Sequence, residues 1–255
     1  MTFTLKDILA HPLARGVDLE DPLATVLRRR IIEEKAFLRN IYQEWYGLLV
    51  AGLPRIDGPV LELGTGAGFL RTLVPGLITS DVMVLPAIDV VLDAHCIPFR
   101  DASLRAILMI DVLHHLSDPG LFFAEATRCV KPGGALIMIE PWVTAWSRII
   151  HQWLHHEPFL PEASLWQSPT SGPLSGANGA LPWIMFHRDR SRFCAEFPEW
   201  RLKSVERDMP FSYLLSGGLS MRGFVPGAAY RSVRWLERNL QRWKDVLAMF
   251  ACISL

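Results

Sequence analysis

An α/β fold built on a mostly parallel sheet with helices on both faces is what this sequence predicts, and three observations carry it. The first is Pro59-Val60-Leu61-Glu62-Leu63-Gly64-Thr65-Gly66-Ala67-Gly68-Phe69, an apolar strand that runs into a glycine-dense turn and a helix start. The second is the alternation of short apolar runs with helical stretches from Gly58 to Glu140, the pattern of a parallel sheet with crossovers. The third is Ala135–Glu140, a continuous apolar run of the kind found in a central strand buried on both faces.

In chain order, Asp21-Pro22 reads as an N-cap followed by proline at the first helical position. Leu23, Val26, Leu27, Ile31, Leu38, Ile41, Tyr42, Trp45, Leu48 and Leu49 then recur at helical spacing, giving one long helix that ends at Gly52-Leu53-Pro54. Strands are expected at Val60–Leu63, Gly76–Asp81, Ala87–Leu92, Ala106–Ile110 and Ala135–Glu140, with a short helix at Phe69–Leu73. Ser117-Asp118-Pro119 starts another helix, and Lys131-Pro132-Gly133-Gly134 is a turn that closes it. After Pro141 the alternation stops. Residues 142–182 read as an insertion, with a helix over about 143–156 followed by loop. A helix at Asp189–Phe197, a strand at Trp200–Arg207, an irregular Pro210–Pro226, a helical Gly227–Asp245 and a closing strand within Val246–Ser254 complete the chain.

At 255 residues the natural division is a single domain over 1–255: a helical cap at 1–55, a ligand-binding core at 58–141, and insertions at 142–182 and 208–245. Lys+Arg and Asp+Glu balance at 26 each, which argues against a nucleic-acid partner. Residues 142–182 reinforce this, since Arg148 is their one Lys or Arg. Cys96, Cys129, Cys194 and Cys252 stand singly, so neither zinc nor a disulfide framework is expected. The opening residues lack a basic and an apolar region, and no apolar run reaches the ~18 residues of a spanning helix. A cytoplasmic protein is expected, with peripheral membrane contact left open.

The glycine turn lets a ligand lie against bare backbone, with helix N–H groups aimed at it. Asp81, ending the next apolar run, can accept both hydroxyls of a ribose. A dinucleotide fingerprint needs G-x-G-x-x-G; here the third glycine comes one residue early and Phe69 fills the slot. A plain strand-to-helix connection is the alternative.

With Asp93-Ala94, Ile97-Pro98-Phe99, His114-His115-Leu116 and Lys131-Pro132-Gly133-Gly134 following in order, residues 58–141 resemble the type 11 branch of class I S-adenosylmethionine (SAM)-dependent methyltransferases. The resemblance implies a Rossmann-like, seven-stranded sheet with insertions after strands 5 and 6, and SAM as cofactor. It implies that Gly64, Thr65, Gly66 and Gly68 approach the cofactor and that Glu62 lies beneath their loop. Asp81 would take the ribose, Asp93 and Ala94 the adenine, and Asp111 the methionine end. Only about a dozen residues separate Asp81 from Asp93, too few for the family's usual helix there.

A hydroxyl acceptor benefits from a base, and His114, His115 and His151 are the candidates in that order, with helix packing as the other reading of the His114-His115 pair. His151 and His155 stand one helical turn apart, but H-E-x-x-H is absent and no metal is expected. Ser216-Gly217-Gly218 with Arg222 reads as a loop turn or an anion nest. O-methylation of a small-molecule, glycan or lipid-like acceptor is the favoured function. The acceptor is expected under Trp142, Trp146, Trp153 and Trp166, with 168–179 as a lid loop. A SAM-binding protein without catalysis is the alternative.

Overall fold

The computed structural model describes residues 9–14, 22–154, 157–168 and 177–255. Asp21, His155, His156 and the middle of the expected lid loop lie outside the described residues. The sheet has seven strands: β1 (Val60–Leu63), β2 (Ile78–Asp81), β3 (Val90–Val91), β4 (Leu104–Ile110), β5 (Val130–Pro141), β6 (Ser204–Asp208) and β7 (Phe250–Ser254). Their order is β3-β2-β1-β4-β5-β7-β6. Every pair is parallel except those of β7, which runs antiparallel between β5 and β6. The C-terminal strand is therefore internal, and its residues Ala251 and Ile253 are buried.

Alternate residues of the central strands feed two cores, one on each face. Leu61, Ile107, Met109, Leu136 and Met138 pack on one side, against Phe122, Phe123, Ile184 and Phe193. Val60, Ala106, Leu108, Ile137 and Ile139 pack on the other, against Ile41, Trp45 and Leu49.

The expected N-terminal helix is two helices, α1 (Pro22–Glu34) and α2 (Ala36–Ala51). The break falls at Lys35, whose ψ of 86° leaves the helical region. Its ammonium donates to the carbonyls of Gly218 and Met221 at 2.6 and 2.9 Å, so a distant loop sets the corner. The Ser216–Gly218 segment is accordingly a turn whose Gly218 carbonyl faces a cation. Gly217 is obligatory there: at φ +72°, its Cβ would lie 2.0 Å from the Arg222 carbonyl oxygen.

Two crossovers are shorter than usual for a parallel sheet. Between β1 and β2 there is only a 3₁₀ turn, Leu70–Thr72, rather than an α-helix. Between β2 and β3 a loop suffices, anchored where Asp89 accepts from the Thr79 amide and hydroxyl at 2.9 and 3.1 Å. The helix α3 (Pro119–Cys129) begins where expected, with Asp118 accepting from the Gly120 and Leu121 amides. The Lys131–Gly134 turn is a bulge inside β5, where the register with β4 shifts between Leu104 and Ala106.

Beyond β5 lie α4 (Ala145–Leu154), a short turn at Leu181–Trp183 that runs into a π-helix at Ile184–Arg188, and α5 (Arg190–Glu196). The stretch expected to be irregular holds a short helix, α6 (Ser212–Ser216). The expected helix at Gly227–Asp245 is broken into a 3₁₀ turn, α7 (Tyr230–Asn239), a second 3₁₀ turn and α8 (Lys244–Leu247).

Candidate functional site

The site is a cavity of about 830 Å³ over the C-terminal ends of β1, β2 and β4, where parallel sheets hold their ligands. Its floor is the glycine loop. Gly64 and Gly66 adopt φ of +62° and +50°, a region that disfavours side chains. A Cβ on Gly64 would also meet Val112 Cγ2 at 2.5 Å. Gly68 is needed for space alone: its Cβ would lie 2.6 Å from the Tyr46 hydroxyl and 2.8 Å from the Thr65 carbonyl oxygen. Tyr46 is a site residue that sequence reasoning missed. It comes from α2, and its hydroxyl accepts from the Phe69 amide at 3.0 Å. Because a 3₁₀ turn follows the loop, the expected row of helix N–H groups is absent, and side chains from elsewhere hold the loop instead.

Asp81 is the first of these. Its Oδ2 accepts from the Gly66 amide and its Oδ1 from the Met83 amide, both at 3.0 Å. The carboxylate braces the glycine loop and faces the cavity at the same time. Burial raises its pKa, against the lowering by its backbone hydrogen bonds. Asp81→Asn sets an amide against these N–H groups, and we expect cofactor affinity to fall by roughly 1–3 kcal/mol, the usual cost of a donor left unpaired. Calorimetric titration with S-adenosylhomocysteine reads this directly.

Glu62, buried below the loop, accepts from the Thr65 hydroxyl at 3.0 Å. Burial pushes its carboxyl up to about 7, partly opposed by that hydrogen bond. Asp93 and Ala94 both line the cavity. The exposed Asp93 carboxylate spends Oδ1 on the His95 amide at 2.9 Å and on His95 Nδ1 at 2.6 Å. His95 Nε2 accepts from the Asp118 amide at 3.2 Å, so this histidine ties the Asp93 turn to the start of α3.

At the far end of β4, Asp111 has a φ of +54° and its buried Oδ1 has no hydrogen-bond partner. An orphaned acceptor on a strained residue facing a cavity is what a donor-bearing ligand would satisfy. Burial raises its pKa to about 7, against the opposing influence of His114.

His114 is buried, with Nδ1 2.6 Å from Glu140 Oε2 and Nε2 3.6 Å from Glu157 Oε2. Burial would lower its pKa, but the two carboxylates outweigh it and raise it to about 10. The two carboxylates thus favour the charged form of His114. Glu140 Oε1 also accepts from the Val112 and Leu113 amides at 2.9 and 2.7 Å, so one carboxylate fixes the whole turn after β4. His115 Nε2 lies 3.9 Å from Glu157 Oε1, and the His115 ring leans on that of His114. His151, on α4, stacks on Phe159 and lines the same cavity. His114, His115 and Glu157 bring donor atoms within 4.8 Å of one another, a grouping that could hold a cation and that spacing along the chain did not reveal.

The tryptophans expected around an acceptor do not line the cavity. Trp142 and Trp166 are buried in the core beside α3. The Trp166 indole donates to Asp189 at 3.0 Å, and that of Trp146 to the Pro210 carbonyl at 2.7 Å. Trp153 is exposed. Trp142, Trp146 and Trp166 thus pack the insertion, and Trp153 does not. The cavity walls come instead from Leu27 and Ile31 of α1, Tyr42 of α2, Tyr213 and Leu214 of α6, and Phe250. The described ends of the lid segment are tied down: the Ser168 amide donates to the Ser117 carbonyl and the Asn178 amide to the His114 carbonyl, each at 3.0 Å.

Comparison with known proteins agrees with this geometry. The family model described as a methyltransferase domain matches residues 61–138. An uncharacterised 37.1 kDa protein in transposon TN4556 of Streptomyces fradiae is 38% identical over 96 residues, covering 33% of this chain and 28% of that relative's length. Among solved structures, the chain is similar to geranyl diphosphate C-methyltransferase from Streptomyces coelicolor A3(2), in complex with Mg2+, geranyl diphosphate and S-adenosyl-L-homocysteine. That likeness has 15% identity and a TM-score of 0.50, and covers 96% of this chain and 90% of the other. A chain from the complex of the Haloferax volcanii Trm112 methyltransferase activator is 13% identical at a TM-score of 0.52, covering 93% and 97%. At such identities these likenesses are of fold. The glycine loop with its carboxylates, the strand order and the match of residues 61–138 to a methyltransferase-domain model together give this chain the fold of the class I SAM-dependent methyltransferases, with SAM as cofactor.

Proposed function

We propose that this chain transfers a methyl group from SAM to the oxygen of a small-molecule, glycan or lipid-like acceptor. One observation carries the reading: a single cavity runs from the glycine loop past Asp111 to His115, His151 and Glu157. At about 830 Å³ it stands near the upper end of the ~300–1,000 Å³ usual for ligand pockets, which suits a cofactor with a modest acceptor. When bound, SAM supplies an electrophilic methyl group on a sulfonium. The residues fit it: a glycine cradle, Asp81 and Asp93 toward the nucleoside, and the orphaned Asp111 oxygen toward the amino-acid end. The domain division follows the site, with 58–141 as cofactor core and 1–55, 142–182 and 208–245 supplying acceptor walls.

The protein's task is alignment and exclusion of water. The cavity would hold an acceptor oxygen in line with the methyl group that bound SAM would supply, the sulfur keeping the electron pair of the bond it gives up. The hydroxyl proton passes to His115, which faces Glu157. His114, favoured in its charged form, serves as a positioning residue locked by Glu140. With methyl-tritiated SAM and hydroxyl-bearing extracts, label should appear in an alkali-stable ether. Tight S-adenosylhomocysteine binding with no transfer to any fraction would favour the non-catalytic alternative.

Glu62 gives a second check. A group whose pKa is raised from 4.5 to about 7 contributes stability that is full below 4.5 and lost as pH rises through 7. A cofactor ammonium near this carboxyl favours its charged form. Binding below pH 7 should therefore release a proton, and affinity should rise as pH increases toward about 7 and level off above it. Titration in buffers of different ionisation heat measures the release. Glu62→Gln should abolish it, and a pH-independent wild type would remove the cofactor's amino group from Glu62.

A further inference from the structure

The helix α7 buries charge and exposes large apolar side chains. Its inward face carries a buried ion pair beside Tyr230 and Val233: Arg234 and Glu237 are 3% and 1% exposed. Arg234 bonds Glu44, Asp208 and Glu237, each at 2.5 Å. Glu237 also accepts from the Phe211 and Ser212 amides and the Ser212 hydroxyl. Its outward face sets two large apolar side chains, Trp235 and Leu236, 67% and 50% exposed, among Arg231, Ser232, Arg238 and Asn239. A surface helix in water ordinarily has the opposite arrangement.

The apolar surface continues beyond α7. Trp243 and Val246 follow it outward, and α8 packs on α4, which presents Ile149 and a 70% exposed Trp153. The exposed charges from α7 to α8 are mostly basic. Arg231, Arg238, Arg242 and Lys244 are exposed, Glu237 is buried, and Asp245 is paired with Arg207 at 2.6 Å. In a chain with balanced charge this is a local cationic rim around exposed indoles.

We propose that this face docks on the surface of an anionic lipid bilayer. Indole rings suit the headgroup boundary, because they join a large apolar area to one polar N–H. Arginine and lysine around them meet lipid phosphates, and the combination is that of an interfacial segment. No helix among the described residues is long and apolar enough to cross a membrane, so the contact is peripheral. The same helix α4 that turns Ile149 and Trp153 outward turns Ile150 and His151 into the cavity. Docking would therefore set the acceptor end of the site near the lipid. The inference does not depend on transfer chemistry.

The test is co-sedimentation of the full chain with vesicles of phosphatidylcholine alone and of phosphatidylcholine with phosphatidylglycerol. The expected result is at least tenfold stronger partitioning to the anionic vesicles, weakening with added salt. The triple variant W153A/W235A/W243A should lose tenfold or more. Its far-UV circular dichroism and S-adenosylhomocysteine affinity should be unchanged, which separates docking from folding and from the methyl-transfer reading. Equal or absent partitioning to the two vesicle types would overturn the proposal. So would a wild-type dimer in sedimentation that the triple variant converts to monomer, since a second copy would then cover the face.

Discussion

Glu140→Ala is expected to lower stability by about 3–5 kcal/mol, the range for breaking a buried ion pair from one side. The side chain is fully buried, and its loss strands three groups at once: the His114 ring and the Val112 and Leu113 amides. For a chain of this size that corresponds to a fall in melting temperature of roughly 6–20 °C. The effect should reach the cofactor, because Val112 packs directly over Gly64. Glu140→Gln keeps an acceptor oxygen for the two amides and removes only the charge, so its loss should be clearly smaller. Thermal melts of the two variants separate hydrogen bonding from charge. Equal losses would mean that the ion pair with His114 contributes nearly all of the stabilisation.

Gly68→Ala is expected to weaken S-adenosylhomocysteine binding by about 5–150-fold, from the ~1–3 kcal/mol that overpacking ordinarily costs. The reason is space: a methyl group would lie 2.6 Å from the Tyr46 hydroxyl and 2.8 Å from the Thr65 carbonyl. Gly66→Ala has a different origin. Its Cβ meets nothing closer than 3.7 Å, and the cost comes from φ of +50°, about 1–2 kcal/mol. Adding Tyr46→Phe removes the hydroxyl in the way of Gly68→Ala, so the double variant should recover part of the lost affinity. The same change added to Gly66→Ala should recover none. Calorimetry on the four proteins decides, and no recovery in the first pair would place the clash wholly at Thr65.

These two residues also mark the boundary of what the chain reveals before it folds. The glycine loop, Asp81, the five parallel strands and the Asp118 cap were legible because each depends on neighbours within a few residues. Strand periodicity, turn chemistry and caps are local physics, and the structure retains them. Even the missing helix between β2 and β3 was readable, from the short count of residues between Asp81 and Asp93.

The shape of the site was settled elsewhere. Tyr46 reaches Phe69 across 23 residues, and Glu140 reaches His114 across 26. Arg234 reaches Glu44 across 190 and Lys35 reaches Gly218 across 183. No periodicity records which buried charge finds which partner. The tryptophans show the same limit from the other side. A flat aromatic face suits a ligand or a core equally well, and only the packing of the insertion assigned Trp142 and Trp166 to the core and left Trp153 outside. The protonation of His114 likewise depends on two carboxylates brought to it by β5 and by the segment after α4. The sequence by itself marked the parallel strands and the glycine loop, because those rest on local backbone preferences, and its motifs pointed by resemblance to the class of chemistry. The tertiary structure decided which side chains wall the acceptor end and which of them carry charge, because burial and Coulomb interactions depend on neighbours distant in the chain.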